Sequence, residues 1–235
     1  MGLYNRLYNA EPKKELDVHA PPKKGVRLFL HVLRREFWEL CKLNLMMILF
    51  CIPIVTIPVA VVAMNKVLFL MLMDKSIYTF ETFFSTVKAE WKRATVAGLL
   101  YFPSLAATIF GLYFYSEIVP NFLLYSCSMF ACALILMAGI YLFPMLAMLD
   151  LNAKGIIKNT IILTFSKIPQ NIAALFAAAL WILLIVMFFP FTASVILLIF
   201  FSILILITTL CAYSSLKKII IVKSAIENND LKHEH

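Results

Sequence analysis

Residues 43–73 read LNLMMILFCIPIVTIPVAVVAMNKVLFLMLM, an apolar run that is interrupted by Pro53 and Pro58. A helix needs about 20 apolar residues to cross a bilayer, so this run is too long for one crossing and short for two. The prolines predict an uncharged turn at residues 53–58. Two interpretations of the turn stay open here: a rigid hairpin at the outer border of the membrane, or a re-entrant element that lines a pocket.

The distribution of lysine and arginine favours two crossings within this run. With two, the chain crosses six times, and 20 of its 21 Lys and Arg residues fall on one side. With one, the chain crosses five times, and the basic residues divide nine against twelve. Because basic loops are retained in the cytoplasm, the sequence predicts six crossings with both termini cytoplasmic.

The composition of the whole chain agrees with a membrane protein. Of its 235 residues, 63% are hydrophobic and 14% are charged, and the mean hydropathy is +0.91. An ordinary soluble domain has about 45–50% apolar and about 25% charged residues, which argues against a soluble enzyme, a coiled coil or a disulfide scaffold. The net charge of +8 is concentrated beside apolar runs. We therefore expect the basic residues to meet a lipid bilayer with anionic headgroups, and we expect no nucleic acid partner.

Three amphipathic segments each precede a pair of apolar runs. Their apolar residues recur at helical spacing, which predicts helices in the membrane interface. In the third segment, Lys154 and Lys158 are expected to face away from the apolar side. The predicted apolar faces are Val26, Phe29, Leu30, Leu33, Phe37 and Leu40 in the first segment; Phe80, Phe83, Phe84, Val87 and Trp91 in the second (78–93); and Ile157, Ile161, Phe165 and Ile168 in the third (150–167).

The predicted fold class is therefore all-α. It is a polytopic membrane protein with six transmembrane helices arranged as three hairpins, each preceded by an interfacial amphipathic helix. The later crossings are predicted at about 94–116, 122–149, 169–189 and 192–215. The predicted organisation is a polar N-terminal arm (1–25), a single membrane domain (26–218) and a polar C-terminal tail (219–235).

Polar residues within the first hairpin are the candidates for a site inside the membrane. Lys66 is predicted near the middle of the second crossing, where a lysine costs about 2.5–3.5 kcal/mol on insertion scales. One interpretation groups Lys66 with Asn65, and with Asn44 and Thr56 of the same hairpin, in a polar site. The other interpretation has Lys66 extend its long side chain to the cytoplasmic surface.

The amphipathic segments also supply candidate docking surfaces for a partner. Aromatic and basic side chains lie together there, beside the predicted crossings. The candidate residues are Phe83, Phe84, Lys88, Trp91, Lys92, Arg93, Lys158 and Phe165.

This sequence resembles a known family over most of its length, and most strongly over residues 37–100. The run Leu43-Asn44-Leu45 through 53–57 (Pro-Ile-Val-Thr-Ile), and the block 80–100 with its aromatics, Trp91-Lys92-Arg93-Ala94-Thr95 and Gly98, resemble the YesL-type bacterial membrane proteins. That family is of unknown function and is often encoded beside carbohydrate ABC transporters. The resemblance implies a location in the bacterial plasma membrane and a role near sugar uptake.

Catalytic and metal-binding patterns are not found in the sequence. The four histidines form no ligand spacing, and no P-loop, GxSxG or GxGxxG is present. We therefore expect no enzyme activity, no metal and no cofactor. The first functional hypothesis is an accessory or regulatory partner of a carbohydrate ABC transporter permease. The alternative is a stand-alone transporter or channel for a small solute, with its polar site near Lys66.

Overall fold

The structure is a computed structural model that describes residues 25–75, 77–149, 151–189 and 193–233. These ranges contain helices and no strand, which confirms the all-α prediction. Residues 1–24 of the predicted arm and the predicted turn at 190–191 lie outside the described residues. The helices are α1 (Val26–Arg35), α2 (Phe37–Cys51), a 3-10 turn (Ile54–Thr56), α3 (Ile57–Leu72), α4 (Thr79–Tyr113) with a π-helical end (Phe114–Ile118), α5 (Phe122–Met148), α6 (Ala153–Ser166), α7 (Ile168–Met187), α8 (Ala193–Leu198) and α9 (Phe200–His233).

Several of these helices can cross a membrane. Within the described ranges, five stretches are long and apolar enough: Ile54–Leu72, Thr79–Ile118, Phe122–Met148, Ile168–Met187 and Phe200–Lys217. Helix α2 is not among them, because its 15 residues rise about 22 Å, which is less than the roughly 30 Å of hydrocarbon. The chain is thus a membrane protein by its apolar helices, and six crossings stay a prediction.

Helix α3 lies at the centre of the bundle. It packs against α4, α5 and α9, and 67% of its most apolar stretch is buried, whereas the corresponding figure for α4 is 6%. Such burial explains why α3 is apolar on all sides apart from Asn65 and Lys66, since a helix surrounded by others has no face to expose to water. Much of the membrane-crossing part of α4 faces outward.

The predicted boundary between the second amphipathic segment and the crossing that follows it is wrong. Residues 79–113 form one continuous helix of 35 residues, about 52 Å long. The change from an amphipathic to an apolar pattern near Arg93 occurs without a glycine, a proline or a cap that would end a helix. The first half of α4 therefore extends from the crossing in line with it and is not a separate helix.

The third amphipathic segment is a separate helix, as predicted, whereas the first is divided between α1 and α2, and the faces of both differ from those expected. The break at Glu36 (φ −108°, ψ 23°) divides α1 from α2, so the apolar residues between Val26 and Leu40 do not share one face. In α1, Leu28 and Val32 are the buried residues, while Val26 and Leu30 of the predicted face are exposed.

A similar break at Lys167 (φ −123°, ψ 31°) divides α6 from α7. The proline that follows at position 169 lies in the first turn of α7, where it leaves no hydrogen bond unmade. The last predicted crossing is also interrupted, because α8 ends at Leu198 and α9 begins at Phe200. Helix α9 continues as far as His233, so the predicted tail is helical up to that residue.

Candidate functional site

Three buried asparagines, on α2, α3 and α7, each have a hydrogen-bonding group of α9 beside their side-chain oxygen. The first is Asn44 of α2, whose Oδ1 accepts from the backbone N–H groups of Phe201 (2.8 Å) and Ser202 (3.3 Å). The first N–H groups of a helix have no partner within it, and Asn44 supplies one from across the bundle. The Ser202 hydroxyl in turn donates to the carbonyl of Leu40 (2.7 Å). These bonds hold the beginning of α9 against α2.

The second asparagine, Asn65 of α3, contacts α9 farther along. The Thr209 hydroxyl donates to Asn65 Oδ1 at 2.8 Å, and Asn65 Nδ2 donates to the carbonyl of Val61 at 2.8 Å. One turn later, the rings of Phe69 and Tyr213 pack with their centroids 5.2 Å apart. Helices α3 and α9 therefore run side by side in the same direction at this level.

The third asparagine, Asn171 of α7, is the centre of a network that sequence reasoning missed. The Tyr141 hydroxyl of α5 donates to Asn171 Oδ1 at 2.7 Å, and Asn171 Nδ2 donates to the carbonyl of Thr164 at 3.0 Å. The Cys211 thiol of α9 lies 3.6 Å from the same Oδ1. Asn171 and Tyr141 are fully buried. The sequence did hold a signal, since Asn171 is a polar residue in an apolar run. It lies near the start of a predicted crossing.

The residues predicted to form one intramembrane polar site are held at different places. The two α9 groups that Asn44 and Asn65 contact, Phe201 and Thr209, are eight residues apart, which is about 12 Å along a helix. Thr56 lies in the turn after α2, where its hydroxyl donates to the carbonyls of Phe50 and Pro53.

Lys66 follows Asn65 in the middle of α3 and is half-buried. Consecutive residues on a helix point about 100° apart, so Lys66 does not share the direction in which Asn65 meets α9. The structure leaves both interpretations of Lys66 as predictions.

Charged residues at the ends of the helices tie the linkers to the bundle. At the joint of α1 and α2, Arg35 Nε donates to the buried Glu36 (2.9 Å), and its guanidinium also bonds the Asp74 carboxylate after α3. Asp74 has φ +56°, a conformation that aspartate adopts more readily than most residues. Burial lowers the pKa of the neighbouring Lys75. The start of α2 and the end of α3 therefore meet at one level.

Arg93 of α4 makes the equivalent contact with the linker from α5 to α6. Its guanidinium donates to the carbonyl of Leu151 at 2.9 Å and lies 3.5 Å from that of Leu149, while Glu90 holds its other nitrogen at 3.0 Å. Arg93 was predicted to serve docking, but in the structure its described contacts orient α6 on α4.

The other predicted docking residues divide into buried and exposed ones. Phe83 is buried, with its ring 5.4 Å from that of Phe50; it serves packing and is not available for docking. Phe84 is 40% exposed and also contacts Phe50, at 5.8 Å. Lys88, Trp91 and Lys92 are exposed, and the Lys92 ammonium lies 5.7 Å from the centre of the Trp91 ring.

Helix α6 has one face on the protein and one face free of it. Its buried residues are Ile156, Thr160 and Thr164. The exposed residues follow one another at spacings of four, three and four, so they lie on one side of the helix. Lysines and apolar residues therefore share this side. This corrects the prediction that the lysines face away from the apolar side. The exposed residues, which we call the α6 outer face, are Lys154, Lys158, Ile161 and Phe165.

Among the described residues, no three His, Cys, Asp or Glu side chains lie close enough to share a metal ion. The expected absence of metals, cofactors and catalysis stays a prediction.

Comparison with known proteins finds a match over part of the chain. A family model described as "Protein of unknown function, DUF624" matches residues 40–112, which form most of α2, all of α3 and nearly all of α4. This match is consistent with the resemblance seen in the sequence. No curated protein and no solved structure matches the chain. Over residues 40–112, therefore, the chain is similar to a family whose function is unknown.

Proposed function

We propose that this chain is a multi-pass protein of the bacterial plasma membrane that acts as an accessory or regulatory partner of a carbohydrate ABC transporter. Both termini are cytoplasmic, because an even number of crossings keeps nearly all basic residues on one side. The single observation that carries the partner role is the α6 outer face, which combines exposed lysines with exposed apolar residues. That the transporter carries carbohydrate is inferred from the family resemblance.

The hydrogen bonds of the buried asparagines support a partner role over a conducting one. A solute path through a membrane needs polar groups that can bind and release the solute. The oxygens of Asn44, Asn65 and Asn171 instead accept from groups of other helices. Bonds of this kind hold transmembrane helices together.

The α6 outer face is built to be held in a fixed position. Arg93 anchors the linker before it, and Thr164 accepts from Asn171 behind it. An exposed helix with both charged and apolar side chains is suited to docking a partner, because protein interfaces combine an apolar centre with a polar rim.

Purification from mild detergent tests the partner role. We expect the tagged protein to recover a sugar permease in stoichiometric amount from its native membrane. Phe165→Ala removes an exposed ring of the α6 outer face and should reduce this recovery at least several-fold. Phe176→Ala is the matched control, because that ring is 70% exposed on α7 but lies off the face. Recovery of the protein alone, or equal recovery with both variants, contradicts the proposal.

A stand-alone transporter is the second candidate, because Lys66 is half-buried in the middle of α3. A central lysine is costly unless it serves a function or reaches the surface. Uptake of a sugar into liposomes that contain this protein alone, abolished by Lys66→Leu, would favour this candidate over the accessory role.

A further inference from the structure

Helices α4 and α5 reach the border of the membrane at the same level, which is marked by Arg93. The Arg93 guanidinium donates to the carbonyl of Leu151 at 2.9 Å and lies 3.5 Å from that of Leu149. Arg93 is the last charged residue before the uncharged run 94–116 of α4, and α5 ends at Met148. A charged side chain beside an apolar run keeps its charged end in water. The residues of α4 just before Arg93 therefore lie at the depth of the lipid headgroups.

The side of α4 that carries Lys88 and Lys92 is not covered by the described bundle. Both lysines are exposed. They are four residues apart, so they are neighbours on one side of the helix. The opposite side is occupied, because Phe83 is buried there with its ring 5.4 Å from that of Phe50. The lysine side of α4 is therefore open to a molecule from outside the bundle.

The positive charge on this side is not balanced. Within the described ranges, no ion pair includes Lys88 or Lys92, and like charges four residues apart destabilise a helix. The nearby Glu90 is paired with Arg93 at 3.0 Å, and its side chain is 13% exposed. Glu81 is exposed but lies seven residues before Lys88, which is about 10 Å along the helix. An anion between the two lysines would relieve their repulsion.

Aromatic and aliphatic side chains continue this side of α4 into the membrane. Trp91 is exposed, and the Lys92 ammonium lies 5.7 Å from the centre of its ring. Tryptophan is enriched at the level of the headgroups. Val96 and Leu99 are also exposed, and spacings of four and three residues place them in line with Lys92. Cationic, aromatic and aliphatic groups thus follow one another along α4 in the order that the phosphate, the glycerol and the acyl chain follow in a phospholipid.

We propose that this side of α4 binds an anionic phospholipid. We call it the α4 lipid face and define it by Lys88, Trp91, Lys92, Val96 and Leu99. The phosphate lies between the two lysines, the indole ring lies beside the glycerol, and one acyl chain runs along the aliphatic side chains. An acidic protein would also suit the lysines, but the continuation of the face along the apolar run favours a lipid. The inference requires only that the chain lies in a membrane and is independent of the partner role.

Fluorescence of Trp91 tests the proposal at the face itself. The chain has three tryptophans, so Trp38→Phe and Trp181→Phe leave Trp91 as the reporter. The purified full-length protein is reconstituted into phosphatidylcholine vesicles with a minor fraction of a lipid brominated near its headgroup, either phosphatidylglycerol or phosphatidylcholine. Both lipids carry a phosphate, but in phosphatidylcholine a choline cation balances it. We expect phosphatidylglycerol to quench Trp91 several-fold more strongly at the same mole fraction, because basic residues attract lipids of net negative charge.

Two pairs of lysines separate a local site from a general attraction. Lys88→Gln together with Lys92→Gln removes both charges of the α4 lipid face and should make quenching by the two brominated lipids equal. Lys154→Gln together with Lys158→Gln removes an exposed pair of the same spacing from α6 and should retain the preference. Equal quenching by both lipids before any lysine is changed overturns the proposal. An equal loss of the preference in both paired variants also overturns it, because attraction to the basic side as a whole then accounts for the result.

Native mass spectrometry gives a second readout on the protein with all of its tryptophans. The protein in mild detergent receives phosphatidylglycerol, or phosphatidylcholine with the same acyl chains. We expect one phosphatidylglycerol to remain bound where phosphatidylcholine is lost, and Lys88→Gln together with Lys92→Gln to abolish this retention. Excess inorganic phosphate should not displace the lipid, because its acyl chain is also held. Equal retention of both lipids overturns the selective site, and displacement by phosphate overturns a lipid as its occupant.

Discussion

Adding the same methyl group at three helical glycines should change stability in three different ways. At Gly98 the new Cβ would meet the Pro58 ring at 2.1 and 2.3 Å. At Gly139 it would meet the hydroxyl end of Tyr101 at 2.2 Å, and at Gly155 its nearest neighbour is the Leu151 Cβ at 3.7 Å. Non-bonded carbons are normally about 3.5–4.0 Å apart, so the first two sites are overfilled and the third is not.

The expected magnitudes follow from what can move. Each change to alanine gains up to about 1 kcal/mol of helix propensity. At Gly98 the opposing atoms belong to a proline ring in the first turn of α3, which moves only with its helix, and overpacking costs about 1–3 kcal/mol. We expect Gly98→Ala to lower the free energy of unfolding by about 1–2 kcal/mol.

The other two variants are the controls. Gly139→Ala should cost less, because the Tyr101 side chain can rotate away, although it then loses its edge contact with the Phe143 ring at 5.2 Å. Gly155→Ala should stabilise the protein by about 0.5–1 kcal/mol. Unfolding by SDS in mixed micelles, followed by far-UV circular dichroism, measures all three. If Gly98→Ala is as stable as Gly155→Ala, then Pro58 does not touch α4 closely.

The hydrogen bonds of the bundle give further expectations. Asn171→Leu should lower the free energy of unfolding by about 1–3 kcal/mol while the exposed Asn152→Leu changes it little, and a double-mutant cycle with Tyr141→Phe should give a coupling of about 0.6–1.7 kcal/mol; a coupling of zero speaks against the bond. Asn44→Leu should speed amide hydrogen exchange in the first turn of α9, measured by mass spectrometry, and unchanged exchange there would show that those N–H groups have other partners. Arg93→Gln should speed amide exchange in the first turn of α6 without changing exchange in α9. If the first turn of α6 is protected equally in Arg93→Gln and in the wild-type protein, the guanidinium does not hold the linker.

The ends of several helices could be predicted from the sequence because particular residues stop a helix. Pro53, Pro120 and Pro169 lie at or beside three of the observed boundaries. The joint near Arg93 could not be predicted correctly, because a change in the pattern of polar residues marks a change of surroundings and does not break hydrogen bonds in the backbone. At Glu36 the reverse holds: the helix breaks there, although no glycine or proline marks the position.

The buried polar residues could be recognised from the sequence, but their partners could not. Asn44 and Asn65 stand out in an apolar run, and grouping them assumed that neighbours in one hairpin face each other. Their partners are 157 and 144 residues away in the chain, and contacts at that separation depend on how the helices pack. Asn171 was overlooked because it lies close to the predicted start of a crossing, where polar residues are common.

The charge pattern cannot by itself fix the number of crossings. The positive-inside rule reports which side of the membrane each basic loop occupies, and therefore whether the number of crossings between two loops is even or odd. Two complete crossings and one re-entrant hairpin are both even, so they place the basic residues before Lys42 and those after Asp74 on the same side. The two arrangements differ in how deep the turn lies. A lysine at the tip separates the two arrangements: Val55→Lys should be tolerated where the turn reaches water and should impair insertion where the turn ends in hydrocarbon.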